Sequence, residues 1–217
     1  MNSQTVSSGL SGFRGPGVLS APRFLLIIGL YWLLTACVSL PPTRPRPPHW
    51  ATPVPAKHLQ NFYRVDSQVY RSAQPDRDGM RELEGKGIHT VLDLRYWHHD
   101  EKIARDTNLT ILHLPMMAND IDEKALRQAV ALIRQAEKPV LVHCRYGADR
   151  TGAVIAAYRI LEQGWSNEDA IEEMMRGGYG HHYLLFPNIR DTVTKLQPDD
   201  APASFARPTS LHHELNE

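Results

Sequence analysis

Residues 139–152 read Pro-Val-Leu-Val-His-Cys-Arg-Tyr-Gly-Ala-Asp-Arg-Thr-Gly, and the rest of the chain is read outward from them. Val140, Leu141 and Val142 make a short apolar, β-branched run with the length of a buried strand. Beyond Thr151, the run Ala153, Val154, Ile155, Ala156, Ala157 reads as a buried helix. A strand–loop–helix turn aims backbone N–H groups and the positive end of a helix at one point, which makes an anion site. Cys144 stands at the start of that turn, where a thiol is favoured as its nucleophilic thiolate. Arg150, at the head of the helix, can fold a planar fork back over two oxygens of a bound oxyanion. Gly147 suits a loop that needs positive φ to turn its carbonyls outward and its amides inward. The hydroxyl of Thr151 is expected to donate to the sulfur and steady it as a leaving group. Arg145, Tyr146, Gly147, Ala148, Asp149 and Arg150 therefore form the expected substrate-binding loop, with the Arg145 and Tyr146 side chains on its solvated rim. His143 is expected to orient the loop by hydrogen bonding rather than to move protons.

The spacing from Cys144 to Arg150 resembles the Cys-x5-Arg signature of the cysteine-dependent phosphatases, and His143, Thr151 and Gly152 extend the match. The wider chain resembles the bacterial periplasmic dual-specificity (tyrosine) phosphatases. That likeness runs through Phe62-Tyr63-Arg64-Val65, Tyr70-Arg71-Ser72-Ala73-Gln74-Pro75, Val91-Leu92-Asp93-Leu94-Arg95, Gln163-Gly164-Trp165 and Gly177-Gly178-Tyr179-Gly180, over about residues 58–195. The resemblance implies that Cys144 is the nucleophile and Arg150 the transition-state clamp. It implies a substrate among phosphate monoesters: protein phosphotyrosine first, then phosphoserine or phosphothreonine. A phosphoinositide or small-molecule phosphatase is the alternative, and a rhodanese-like sulfurtransferase, which also sets a cysteine before a helix, is another.

Such chemistry needs an acid for the leaving oxygen, worth about 100- to 10,000-fold in rate. By the family's pattern Asp120, on the loop after a strand, is the first choice. Asp149 is second, because Cys-x-x-Gly-x-Asp-Arg-Thr-Gly resembles lipid-directed members thought to use that aspartate. Asp122 is better explained as a helix cap. Arg71, Asp93 and Arg95 fall near expected strand ends and fit an interstrand salt bridge as well as substrate contact.

Strands expected over residues 65–70, 88–94, 109–114 and 140–142 alternate with helices over 76–85, after Asp122, after Thr151 and after Ser166. Asp122 opens a helix in which Leu126, Ala129, Val130 and Ile133 share a face, and Ser166 with Asp169 forms a capping box. The alternation gives an α/β fold: a central, mostly parallel, twisted sheet with helices on both sides and ligands beyond the carboxyl ends of the strands. The loops after Leu94 and Leu114 should then lie beside Cys144.

Upstream of this domain, residues 24–34 form an apolar run too short to span a bilayer, preceded by Arg14 and Arg23 without an acid. Leu34-Thr35-Ala36-Cys37 resembles a lipobox, so residues 1–36 read as a lipoprotein-type signal peptide and Cys37 as the lipidated residue. Periplasmic placement with a membrane anchor follows, and Val38 weakly favours the outer membrane. With Cys37 consumed, Cys144 has no disulfide partner in a chain of two cysteines. Seven prolines in residues 41–55 give residues 37–57 the character of an extended tether. Residues 58–195 make the domain, and residues 196–217 read as a polar, disordered tail.

Twenty-four basic and 24 acidic residues balance, so nothing points to a nucleic-acid partner. The pairs His98-His99, His181-His182 and His212-His213 do not share a helical face and would point apart on a strand. No metal and no cofactor is therefore expected.

Overall fold

A computed structural model describes residues 46–97 and 100–198. The expected signal peptide, lipidated Cys37, the first part of the tether, His98-His99, His212-His213 and most of the tail lie outside the described residues. Six strands form one sheet: β1 (Thr52–Pro53), β2 (Tyr63–Arg64), β3 (Val69–Ser72), β4 (Thr90–Asp93), β5 (Thr110–His113) and β6 (Val140–His143). The helices are α1 (Arg77–Gly85), α2 (Glu101–Ala104), α3 (Glu123–Gln135), α4 (Asp149–Gln163), α5 (Asn167–Arg176) and α6 (Pro187–Lys195), with a 3-10 turn at Ala118–Asp120.

The sheet order is β1-β2-β3-β6-β4-β5. β3, β6, β4 and β5 run parallel, whereas β1 and β2 are antiparallel additions at one edge. β6 thus lies between two parallel neighbours, with Arg71 opposite Val142 and both Ser72 and Asp93 opposite His143. Every residue of β4 and β6 is buried, so their central residues are apolar on both faces, and the buried polar ends Asp93 and His143 face each other across the strand pair.

The pleat sends successive side chains to opposite faces. Val91 and Leu141 join Met80 and Leu83 of α1 and Ala104 of α2 on one face. Leu92, Val140, Val142 and Cys144 join the apolar sides of α3, α4, α5 and α6 on the other. Helices therefore cover both faces. In α3 the buried residues are Leu126, Ala129, Val130 and Ile133, the face read from the sequence.

Local signals account for the helix ends. Asp76, Asp122 and Ser166 each cap a helix by accepting a backbone N–H three residues on, at 2.7, 2.7 and 3.1 Å. Pro187 occupies the first turn of α6, where a missing N–H costs nothing. Helix α1 ends at Gly85, the bound read from the sequence, and the left-handed residue that follows is Gly87 at φ +79°.

The domain also begins earlier than its composition indicates. Within the stretch read as tether, residues 46–57 contribute β1 and buried Trp50 and Ala51. Pro53 sits on an edge strand, the sheet position where proline's lost donor is tolerated. Arg46 donates to Ala51 O at 2.8 Å, to Gly177 O at 2.6 Å and to Tyr179 Oη at 2.6 Å. Proline density alone could not reveal those distant partners.

Candidate active site

Cys144 follows the last residue of β6 and is buried, and α4 starts five residues later. Unlike α1, α3 and α5, helix α4 has no side chain capping its N-terminus, so its first-turn amides face the loop uncapped. Three consecutive carbonyls of the loop are held outward. Arg145 O accepts from Gln74 N at 3.2 Å, Tyr146 O from Asn61 Nδ2 at 2.8 Å, and Gly147 O from Arg71 Nη2 at 2.7 Å. Each carbonyl turned out turns the N–H of its peptide plane inward, where it can meet an anion.

Gly147 is required twice. Its φ is +68°, and a Cβ there would stand 2.5 Å from the Ser72 carbonyl and 2.6 Å from Ala73 N. The loop after β6 therefore lies directly on the backbone that follows β3.

Behind the loop, Arg71 is fully buried without a carboxylate in contact among the described residues. Its guanidinium stacks 3.6 Å from the centre of the Tyr179 ring. Burial pulls its pKa below the ordinary value, against the opposing influence of Tyr179, Glu173 and Cys144. Tyr179 Oη donates to Glu173 Oε1 at 2.9 Å, and Arg159 Nε donates to Glu173 Oε2 at 2.8 Å. Glu173 also accepts from Ala51 N at 2.6 Å. Although burial pushes its carboxyl up, these donors hold it below the usual range.

The other face of the sheet carries a second buried polar group. Arg95 grips Asp93 with Nε to Oδ1 at 2.9 Å and Nη2 to Oδ2 at 2.8 Å, and also bonds Asp100. His143 Nε2 lies 2.7 Å from Asp100 Oδ2, and its Nδ1 lies 3.3 Å from Cys144 O. His143 thus touches the backbone of the loop through Cys144 O. Asp93, Asp100 and His143 are close enough together to hold a cation. The Arg95 guanidinium already supplies positive charge to both carboxylates, while His143 Nε2 and Asp100 Oδ2, though close, make no hydrogen bond among the described residues.

Arg150 is half-buried, with Nη1 3.5 Å from Met116 O. It lines an open pocket of about 160 Å³ with Gln74, Arg95, Tyr96, Trp97 and Arg145. The loops after Leu94 and Leu114 therefore do converge on the site. Asp120 is exposed on the 3-10 turn, whose neighbours are fixed to α6: Asn188 Nδ2 donates to Ala118 O at 3.0 Å and Thr192 Oγ1 to Ile121 O at 2.9 Å. Asp122 caps α3, as expected. Thr151 Oγ1 is buried without a hydrogen-bond partner among the described residues, so the expected bond to sulfur is not seen.

Asp149 takes a different part from the one its place in the signature implies. His182 N donates to Oδ1 at 2.8 Å, His182 Nδ1 lies 2.9 Å from Oδ2, and His181 Nδ1 lies 3.1 Å from Oδ1. Burial pushes this carboxyl up, but the bonds from His181 and His182 outweigh it and bring the pKa down to about 2. Asp149 is thereby engaged as an acceptor that holds the His181–His182 segment against the start of α4. The two adjacent histidines share this partner because they follow Gly180, at φ +81°, in a turn rather than on a strand. The roles of Asn61, Gln74, Glu173, His181 and His182 escape a reading of motifs. Their partners Tyr146, Arg145, Ala51 and, for both histidines, Asp149 lie 85, 71, 122, 32 and 33 residues away along the chain.

A family described as "Tc-R-P: Polymorphic toxin system, DSP-PTPase phosphatase" matches residues 65–164. Over 138 residues the chain is 35% identical to the dual specificity protein phosphatase TpbA of Pseudomonas aeruginosa (strain UCBPP-PA14), covering 63% of this chain and 62% of that relative. It thus spans less than two thirds of that relative's length. It is 29% identical over 125 residues to the inositol diphosphatase DSP1 of Oryza sativa subsp. japonica, covering 54% of this chain and 56% of the relative. The crystal structure of P. aeruginosa TpbA matches with a TM-score of 0.63 and 31% identity, covering 69% of this chain and 92% of that one. A variant of TpbA has been solved in complex with pTyr.

Two outcomes follow from this geometry. Gly147→Ala forces the loop off the Ser72 backbone, and a displacement of this size is expected to cut turnover of an aryl phosphate about 100-fold; a wild-type rate would show that the loop tolerates a side chain there. For Asp149, the folded pKa near 2 lies below the ordinary 3.8, so its stabilisation is complete above 3.8 and is lost as pH falls through about 2. Thermal unfolding from about pH 5 down to about pH 2 is expected to fall more steeply for the wild type than for Asp149→Asn, and parallel curves would contradict the assignment.

Proposed function

Because the chain belongs to the dual-specificity phosphatase family of cysteine-dependent phosphatases, we propose that it hydrolyses phosphate monoesters through a phosphocysteine intermediate, with protein phosphotyrosine as a substrate and phosphoserine or phosphothreonine accepted beside it. The observation that carries this reading is the loop itself. Cys144 sits at its floor, three outward-held carbonyls turn its amides in, and Arg150 lines the opening.

In the first step the Cys144 thiolate attacks phosphorus and the bond to the leaving oxygen breaks. The inward amides and the Arg150 fork take the charge of the equatorial oxygens. The leaving alkoxide or phenolate takes a proton from Asp120, whose exposed position on the loop after β5 lets it reach a substrate at the mouth. Water then attacks phosphorus, the S–P bond breaks, and phosphate leaves. The unpartnered Thr151 hydroxyl is available to the departing sulfur in that step. No residue of this scheme calls for a cofactor.

A second reading, small inositol phosphates, is favoured by the rice inositol diphosphatase relative. The same cradle would serve it, since three arginines line the pocket.

The test is phosphate release from para-nitrophenyl phosphate by the full chain. Cys144→Ser is expected to abolish it, and a surviving rate would refute the thiolate mechanism. Asp120→Asn is expected to slow an alkyl phosphate, a poor leaving group, at least about tenfold while sparing binding. Wild-type turnover of that ester would remove Asp120 from the scheme. Thiosulfate–cyanide turnover in place of ester hydrolysis would favour the persulfide reading.

A further inference from the structure

The large apolar side chains left exposed among the described residues are Tyr96, Trp97, Met117, Tyr146 and the run Tyr183, Leu184, Leu185. All of them belong to the catalytic end of the sheet: the loop after β4, the loop after β5, the loop after β6 and the turn after α5. They are not scattered. Tyr96 and Trp97 pack edge to face at 4.5 Å and line the pocket with Arg150. Met117 follows the residue whose carbonyl meets Arg150. Tyr146 lies 6.4 Å from the His182 ring, next to the Tyr183–Leu185 turn. Trp97 and Leu184 are each 79% exposed.

Isolated exposed hydrophobes need no explanation, whereas an apolar ring around a charged centre does. The centre here carries arginines. Arg145 and Arg150 line the pocket beside Arg95, which is held by Asp93 and Asp100; Asp149 is engaged by two histidines, and Asp120 is exposed on the loop after β5. The ring comes from four separate loops. A peptide crossing the mouth would meet the loops on two sides of it, while a flat interface meets all four together. Tryptophan, tyrosine and leucine at loop tips are the side chains that settle at a bilayer surface, with basic groups toward anionic headgroups.

Resting on the phosphatase reading above, we propose that this rim seats the mouth of the site on a lipid bilayer and that the enzyme hydrolyses phosphomonoester headgroups presented there. Leu184, Leu185 and Trp97 enter the headgroup boundary, and Arg145 meets the anionic surface. A terminal headgroup phosphate rises into the loop, Cys144 attacks phosphorus as the P–O ester bond breaks and Asp120 protonates the departing lipid alcohol, which stays in the membrane, and water then breaks the S–P bond and releases inorganic phosphate.

The experiment compares the full chain with a Leu184→Ser/Leu185→Ser variant on phosphatidylcholine vesicles containing phosphatidic acid or a phosphatidylinositol monophosphate. A short-chain, monomeric form of each lipid and para-nitrophenyl phosphate serve as soluble controls. The wild type is expected to release phosphate from vesicles at least about tenfold faster than from the monomeric lipid, and the variant to lose that gain. The variant's para-nitrophenyl phosphate rate is expected to stay at the wild-type level, which also reports that it is folded. Equal vesicle rates for wild type and variant would overturn the proposal. So would brisk hydrolysis of a phosphotyrosyl peptide without lipid turnover, which would make the rim a peptide-docking surface. Loss of para-nitrophenyl phosphate turnover by the wild type would instead refute the phosphatase reading itself.

Discussion

The structure depends on holding three adjacent carbonyls away from the point at which they would otherwise repel an anion. Arg145 O, Tyr146 O and Gly147 O are bonded by the Gln74 amide, the Asn61 side chain and the Arg71 guanidinium, all from β3 or the segments beside it. A loop of inward amides is electrostatically unfavourable when empty, because aligned N–H dipoles repel one another. The compensation has to be built into the surrounding chain, which explains why β3 lies beside β6 and why a Cβ at position 147 has no room. Preorganised donors of this kind do not have to reorient when charge develops, and this is the source of their catalytic effect.

Two buried polar networks support the loop from opposite faces of the sheet. On one side Arg71, Tyr179, Glu173 and Arg159 form a chain of ring stacking and charge-assisted hydrogen bonds, closed by Arg46 from the start of the described chain. On the other, Arg95 bridges Asp93 and Asp100, and Asp100 meets His143 one residue before the cysteine. Buried charges carry a desolvation cost that good geometry only offsets, so they add little net stability. Their effect here is positional. Each has few workable arrangements, and the one adopted sets Arg71 against Gly147 O and His143 one residue before Cys144. Asp149 extends the same principle to the rim, where its carboxylate fixes the His181–His182 turn and with it the exposed Tyr183, Leu184 and Leu185.

Much of this was legible in the sequence wherever the physics is local. The capping of α1, α3 and α5 depends on residues three apart, the buried face of α3 on residues three and four apart, and β6 on a run of three apolar residues. The loop from Cys144 to Arg150 is also local: six positions separate the two, and the turn between a parallel strand and its helix brings them together. The family resemblance marked the segments around Arg71, Asp93 and Tyr179 as belonging with the site, without assigning what each does.

What the tertiary structure decided are the pairings made across distant parts of the chain. Proline content marked residues 46–57 as a tether, yet Arg46 finds Gly177 and Tyr179 across more than a hundred residues and draws that stretch into the sheet. Asp149 stands inside the signature, yet its partners are two histidines 32 and 33 positions away. Asn61 lies outside the quoted motifs and Gln74 within one, but the role of each exists only once β3 lies against β6. The sequence by itself determined most helices, the parallel strands and the loop from Cys144 to Arg150, because hydrophobic period, caps and loop spacing act within a few residues. The tertiary structure alone decided which charges meet, because a buried ion takes its partner from whatever the packing of the sheet and helices brings within a few ångströms.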